Sequence, residues 1–256
     1  MLSVDRKNKI YSLFLEKKTL IIKELSKEFN VSEQTIRRDF KELEDGGIIK
    51  MAYGGGTLNE NILSTKNVEF SVRQKLTIRE KEEIAKLIYR EIKEKESIFM
   101  DNSSTVLSLL NLMDDVAATI VTNAIMVSYE LLKFKNVNPV QLGGAIDIRN
   151  KCTMDSICLE MLELYHFDKA FISCSSISML NGITDSNLAI SSIRKKVIEQ
   201  SDKVYLLVDH TKFDKVSLVQ ISNFNKIDYL ITNRKPSDEW IEFLKENNVE
   251  LIFGEY

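Results

Sequence analysis

From Ser97 onward the chain carries a series of short apolar runs, "SIFMD", "ATIVTN", "PVQLGG", "KAFISC", "KVYLLVD", "DYLITN" and "VELIF", most of which stop on a small or polar residue. Runs that are apolar at nearly every position, with no alternation, suit strands buried on both faces, as in a parallel sheet covered by helices. The stretches between them carry helical periods, among them "IREKEEIAKLIYREIK" ahead of the first run. The expected fold class for this part is therefore α/β with a mainly parallel sheet. Such sheets bind ligands outside the carboxyl ends of their strands, so Asp101, Asn123, Gly143, Ser173, Asp209 and Asn233, which end the runs, mark the expected rim of a site.

The most informative part of that rim is "MDNSSTVLSLL", where Asp101 closes a strand and Ser103, Ser104 and Thr105 open a helix. Hydroxyls and free amides at a helix start suit an anion, although a serine cluster also caps many helices that bind nothing. Thr122 and Asn123 repeat the arrangement, and "LVDHTKF" adds Asp209 and Lys212. A phosphate held by the hydroxyls and amides, with Lys212 nearby, would leave Asp101, Asn123 and Asp209 for sugar hydroxyls.

The first sixty residues read differently. Ile10, Leu13 and Phe14 mark one helix within Val4 to Lys17, and Ile22, Leu25 and Phe29 mark a second in "IIKELSKEF". "NVS" breaks the period and puts Ser32 at the N-cap of a third helix, expected to end at Gly46-Gly47. On that helix Ile36, Phe40 and Leu43 share one face, while Gln34, Arg37, Arg38 and Lys41 occupy an arc of about 100° opposite. Arginine grips guanine edges or phosphates and glutamine pairs with adenine, so the outer face suits the major groove of double-stranded DNA. A charged face that merely meets solvent is the competing reading, and three short helices with a tight turn before the basic one argue against it. Two short strands, Ile48 to Ala52 and Thr57 onward, are expected to form a hairpin joined by Gly54, Gly55 and Gly56, with Lys50 available to a phosphate.

Charge agrees in sign. Met1 to Thr57 holds eleven basic and nine acidic residues, leaving 24 and 29 for the remainder of a chain whose net charge is -3. No apolar run approaches the roughly 20 residues of a membrane helix, and the start lacks a signal-peptide core, so a cytoplasmic protein without membrane partners is expected. Cys152, Cys158 and Cys174 lack metal-ligand spacing and read as reduced packing residues. His166 and His210 have no second ligand at metal spacing, so neither a metal nor another cofactor is expected.

The stretch "VSEQTIRRDFKELEDGGIIKMAYGGG" resembles the winged helix-turn-helix of the DeoR family of bacterial transcriptional regulators. The resemblance implies DNA contacts for Ser32, Gln34, Thr35, Arg37, Arg38, Lys41, Lys50 and Gly55. Lys50, Met51 and Ala52 stand where the family usually carries an arginine near the wing. The second part is similar to that family's sensor domain, related in fold to sugar-phosphate isomerases, through Glu69, Phe70, Arg73, Lys81, "FMD", "VTN", "LGG", "DKAF", "NGIT", "DHTKF" and "YLITN". By this resemblance an effector, a small phosphorylated metabolite, would meet Asp101, Ser103, Ser104, Thr105, Thr122, Asn123, Gly144, Asp209 and Lys212.

The implied organisation is a DNA-binding domain over 1–58, a linker over 59–73 and an effector-sensing and oligomerisation domain over 74–256. The implied protein is a homo-oligomeric repressor of carbohydrate genes and not an enzyme. Departures fall around the expected ligand: Ser103 for a glycine, Asp155 near another, Ser173 and Ser176 for G-A-x-G, and Leu188, Ala189 and Ile190 where an acidic residue is usual. The added hydroxyls point to a compact effector, a triose or tetrose phosphate or a phosphorylated polyol. Two alternatives stay open: an isomerase with Asp209 and Lys212 as acid and base, and a sensor kept only for oligomerisation.

Overall fold

A computed structural model describes residues 3–45, 48–58 and 69–254, which divide into two compact units, 1–78 and 79–256. The expected helix end at Gly46-Gly47 and most of the expected linker, residues 59–68, lie outside the described residues.

The first unit is built from α1 (Ser3–Lys17), β1 (Thr19–Ile21), α2 (Ile22–Glu28), α3 (Glu33–Asp45), β2 (Ile49–Ala52) and β3 (Gly55–Leu58). Ile10, Phe14, Leu25, Ile36, Phe40 and Leu43 come from all three helices and form one core, into which Leu76 also packs. Phe14 and Phe40 meet with ring centroids 5.1 Å apart. The hairpin differs from expectation in two ways. Thr19–Ile21, where the sequence suggested no strand, forms a third strand pairing with β3 in the order β1-β3-β2. Only Gly54, at φ 79°, lies in the turn; Gly55 and Gly56 pair within β3. A short helix, α4 (Phe70–Arg73), also falls in this unit.

In the second unit the seven apolar runs become the seven strands of one sheet. They are β4 (Ser97–Met100), β5 (Thr119–Thr122), β6 (Asn138–Gln141), β9 (Phe167–Ile172), β12 (Ser201–Leu207), β14 (Tyr229–Thr232) and β15 (Glu250–Phe253). Every pairing is parallel, in the order β15-β14-β12-β9-β4-β5-β6. Phe99, Val121, Ala170, Ile172, Val204, Leu206 and Leu230 form a core with Leu162 of α8 (Ser156–Leu162), Ile193 and Val197 of α9 (Leu188–Glu199), and Trp240 and Leu244 of α10 (Asp238–Glu246). Alternate positions Ile98, Met100, Phe171, Tyr205, Leu207 and Ile231 are buried too, as the unbroken apolar runs require.

The remaining helices are α5 (Ile78–Ile88), α6 (Ser104–Leu107) and α7 (Ile125–Leu131). A two-stranded hairpin, β7 (Ile146–Asp147) and β8 (Cys152–Thr153), adjoins the end of β5 through a bridge between Ala124 and Cys152. A small antiparallel sheet joins β10 (Ser176–Ser178), β11 (Gly182–Asp185) and β13 (Val219–Ser222). The main sheet grows outward from β4 in both directions, first to β5 and β6, then from β9 to β15. The crevice between the carboxyl ends of β4 and β9 is therefore the switch point, where parallel sheets bind ligands.

Candidate functional site

In the first unit the third helix begins as its sequence dictates. The Ser32 hydroxyl accepts the Thr35 amide at 3.1 Å and lies 2.9 Å from the Thr35 hydroxyl, so both side chains close the first turn. Ile36 and Phe40 are fully buried, and Gln34, Arg37, Arg38 and Lys41 are exposed on the far side, as the 100° spacing requires. The exposed cations are not equivalent. Arg37 pairs with Glu33 at 3.7 Å, and Lys41 pairs with Glu44 at 3.1 Å and Asp45 at 3.2 Å. Arg38 makes no ion pair among the described residues. Lys50 is exposed on β2 beside this helix, and Glu44 accepts the Met51 amide at 2.9 Å, tying the helix end to the wing.

Gly55 is buried in β3, where a Cβ would fall closer than 3.0 Å to the Leu20 carbonyl oxygen, so close packing of β1 by itself accounts for the glycine. Sequence reasoning also missed the role of Asp39. Its carboxylate is completely buried and accepts Arg6 Nε at 2.6 Å and Nη2 at 3.2 Å, joining α3 to α1.

In the second unit Asp101, Ser103, Ser173, Asp209 and Lys212 meet at the switch point, but several are spent inside the protein. Asp101 accepts the Ser103 amide at 2.8 Å, the Ser173 amide at 3.0 Å and Arg194 Nε at 2.8 Å. With 1% exposure it is the internal hub of the strand-end loops. Ser103 caps α6 by accepting the Val106 amide at 3.0 Å. Ser173 Oγ donates to the Leu207 carbonyl at 2.6 Å and accepts from Lys212 Nζ at 2.9 Å, while Ser176 Oγ lies 2.9 Å from Ser217 Oγ. The hydroxyls that replace the family's small residues thus take part in the protein's own bonding. The Thr122 hydroxyl is likewise used, donating to the Met100 carbonyl at 2.6 Å and accepting the Ala124 amide at 3.0 Å.

What stays available is more limited. Asn123 donates to the Thr153 carbonyl at 2.9 Å, and its Oδ1 has no partner among the described residues although the side chain is buried. An acceptor left bare in this way is costly unless a donor arrives. Ser104 and Thr105 are buried in α6, and Gly144, at φ 116°, is exposed. Asp155, beside the expected glycine position, accepts the Cys158 amide at 3.1 Å and the Ala145 amide at 2.7 Å, capping α8 and holding the Gly143-Gly144 loop.

The charges are balanced at close quarters. Burial alone would raise the Asp209 carboxyl, but Lys212, the Thr211 hydroxyl and Lys81 outweigh it and hold Asp209 below the ordinary carboxylate range. Arg194, 3% exposed, also donates to Asp185, and its Nη2 lies 3.5 Å from Asn102 Oδ1. Burial opposes its charge, yet Asp101 and Asp185 raise it further above the arginine range. Burial pushes the Cys174 thiol up to about 12, so it is no nucleophile. Arg194 and Asp185 were absent from the sequence reading. Their signal was an arginine on the buried stripe Ile190, Ile193, Val197, which a solvated helix would not carry.

Among the described residues no cluster of His, Cys, Asp and Glu suits a metal, and no helix is long and apolar enough to cross a membrane. Comparison with known proteins matches the DeoR-like helix-turn-helix domain to residues 6–61 and the DeoR C-terminal sensor domain to residues 76–234. The chain is 31% identical to the HTH-type transcriptional regulator IolR of Bacillus subtilis over 90% of this chain and 91% of that one. It is 25% identical to the glycerol-3-phosphate regulon repressor of Escherichia coli over 98% and 99% of the two chains. Ribose 5-phosphate isomerase A of Methanocaldococcus jannaschii is similar over 52% of this chain and 53% of that one, with 14% identity and a TM-score of 0.39. The two matched domains and the relatives aligned along nearly the full chain place it in the DeoR family of transcriptional regulators.

Proposed function

We propose that the chain is a sequence-specific repressor of carbohydrate genes that reads a double-stranded DNA operator with α3 and is controlled by a small phosphorylated metabolite in its second unit. The observation that carries the reading is the outer face of α3, where Gln34, Arg37, Arg38 and Lys41 stand exposed opposite a fully buried apolar stripe. Thr35 and Ser32 shape the entry of that helix, and Lys50 adds a positive charge on the wing. One short helix reads few base pairs, so a homo-oligomer placing two such helices on paired half-sites supports specific binding. Repression is the kind of gene control named for the Escherichia coli relative, a glycerol-3-phosphate regulon repressor.

For the effector, Lys212 supplies positive charge at the switch point and the unpartnered Asn123 Oδ1 supplies an acceptor for a sugar hydroxyl. The bonding of Asp209 favours binding over turnover: a carboxylate held below its ordinary range is a poor general base near neutral pH. The test is selection of duplexes by the whole protein from a randomised pool, followed by gel shift with and without triose, tetrose, hexose and polyol phosphates. A selected sequence released by one of these compounds supports the proposal; absence of any selected sequence refutes it, and turnover of the sugar phosphate would refute the non-enzymatic reading.

A further inference from the structure

Among the described residues the core under α3 is apolar except at one place. Ile36, Phe40 and Leu43 hold the helix by hydrophobic contact, which has no preferred direction and tolerates small rotations about the helix axis. Asp39, next to Arg38 in sequence, points inward and is gripped by both donor arms of Arg6 at 2.6 and 3.2 Å. Both side chains are buried, with 5% exposure for Arg6 and none for Asp39, so neither reaches DNA. A planar fork on a carboxylate accepts only a narrow range of angles, and in a dry environment breaking it strands a charge.

We infer that Arg6 and Asp39 are positioning residues for DNA reading: their buried bidentate pair fixes the rotation of α3 about its own axis and so aims Arg37 and Arg38 at the base edges. The inference rests on α3 being the DNA-reading helix. Side-chain tips ride about 5 to 6 Å from a helix axis, so a rotation of about 20° carries them roughly 2 Å sideways. That displacement exceeds what a base-edge hydrogen bond tolerates but leaves a phosphate contact within reach of a flexible side chain. Lys7, which is partly buried and pairs with the exposed Glu42 one turn along, adds a weaker link between the same two helices.

The experiment separates aim from stability. A buried ion pair replaced by apolar residues of similar volume is often neutral or stabilising, so Arg6→Met/Asp39→Leu retains a cooperative fold. Wild type and variant are compared on duplexes that the wild type enriches from a pool with a random core of about 20 base pairs, and on unselected duplex. The expected result is a fall of about 10-fold or more in the ratio of selected to unselected affinity, with unselected affinity and its salt dependence unchanged. A folded variant with an unchanged ratio overturns the inference. Should the double variant fail to fold, Arg6→Lys keeps the charge and loses the fork, and a preserved ratio in that variant overturns the inference equally. A wild type that enriches no sequence removes the DNA-reading proposal itself, and this inference falls with it; an enriching wild type with insensitive variants removes only the positioning role.

Discussion

Replacing Arg194 by methionine tests whether the charge cluster at the switch point is a structural hub. The guanidinium is 3% exposed and donates to Asp101 at 2.8 Å and to Asp185, and methionine retains much of the side-chain volume without the donors. Two buried carboxylates then lose their shared counter-charge. Breaking such a pair by removing one partner costs about 3 to 5 kcal/mol. The lower end applies, because Asp101 keeps the Ser103 and Ser173 amides and Asp185 keeps the Ser186 amide. For a unit spanning 79–256, a loss of about 3 kcal/mol lowers Tm by roughly 6 to 12 °C. The single tryptophan, Trp240, is buried in the core of this unit, so its fluorescence during urea unfolding reports the second unit alone. Arg194→Met/Asp185→Asn should recover part of the loss, since one stranded charge is gone. A loss below about 1 kcal/mol, the range of ordinary surface substitutions, would show that the cluster does not hold the strand-end loops together.

Other perturbations give equally direct readings. Arg38→Ala should weaken operator binding by about 1 to 3 kcal/mol at one base position, whereas Lys41→Ala should act evenly across sequences and reduce the salt slope by about 1, both measured by gel shift over a range of salt. Glu33→Gln, which frees Arg37 from its surface pair, should tighten binding by no more than about 2-fold, the size of an exposed ion pair. Gly55→Ala should destabilise the first unit by about 1 to 3 kcal/mol because the new methyl meets the β1 backbone, while Gly54→Asn, at a position with open space and a left-handed φ, should be tolerated in thermal unfolding. Asp209 is held below its ordinary range in the folded state, so its ionisation stabilises the fold above the unfolded pKa of about 3.9 and that contribution disappears as pH falls through the lower folded value. The stability gap between wild type and Asp209→Asn should therefore be level from pH 5 upward and close in acid; a gap that widens on acidification would reverse the sign of the argument.

What the sequence revealed and what it concealed divide along one physical line. Burial on both faces leaves a mark at every residue of a strand, so the seven runs from Ser97 to Phe253 could be read one at a time, and all seven form the parallel sheet. The two faces of α3 were legible for the same reason, since a 100° step sorts Ile36, Phe40 and Leu43 from Arg37, Arg38 and Lys41 within thirteen residues. Polar side chains give no comparable local signal about their partners. Arg194 meets Asp101 across 93 positions and Arg6 meets Asp39 across 33, so the sequence could show a charge on an apolar stripe but not what neutralises it. The serines near the switch point failed for a related reason: a hydroxyl suits a ligand and a carbonyl oxygen equally well, and Ser173 turns to Leu207 because that acceptor lies within 2.6 Å in the fold. Gly55 and Gly56 were read as turn because a glycine that permits an unusual φ and a glycine that makes room for a neighbouring strand are the same letter. Only the pairing of β1 with β3, which brings Leu20 against Gly55, distinguishes them. Two side-chain oxygens that remain without a partner among the described residues, Asn123 Oδ1 and Thr232 Oγ1, lie at strand ends that the apolar runs had already marked, so the sequence showed where the strands stop and the bonding decided which groups there were still unspent.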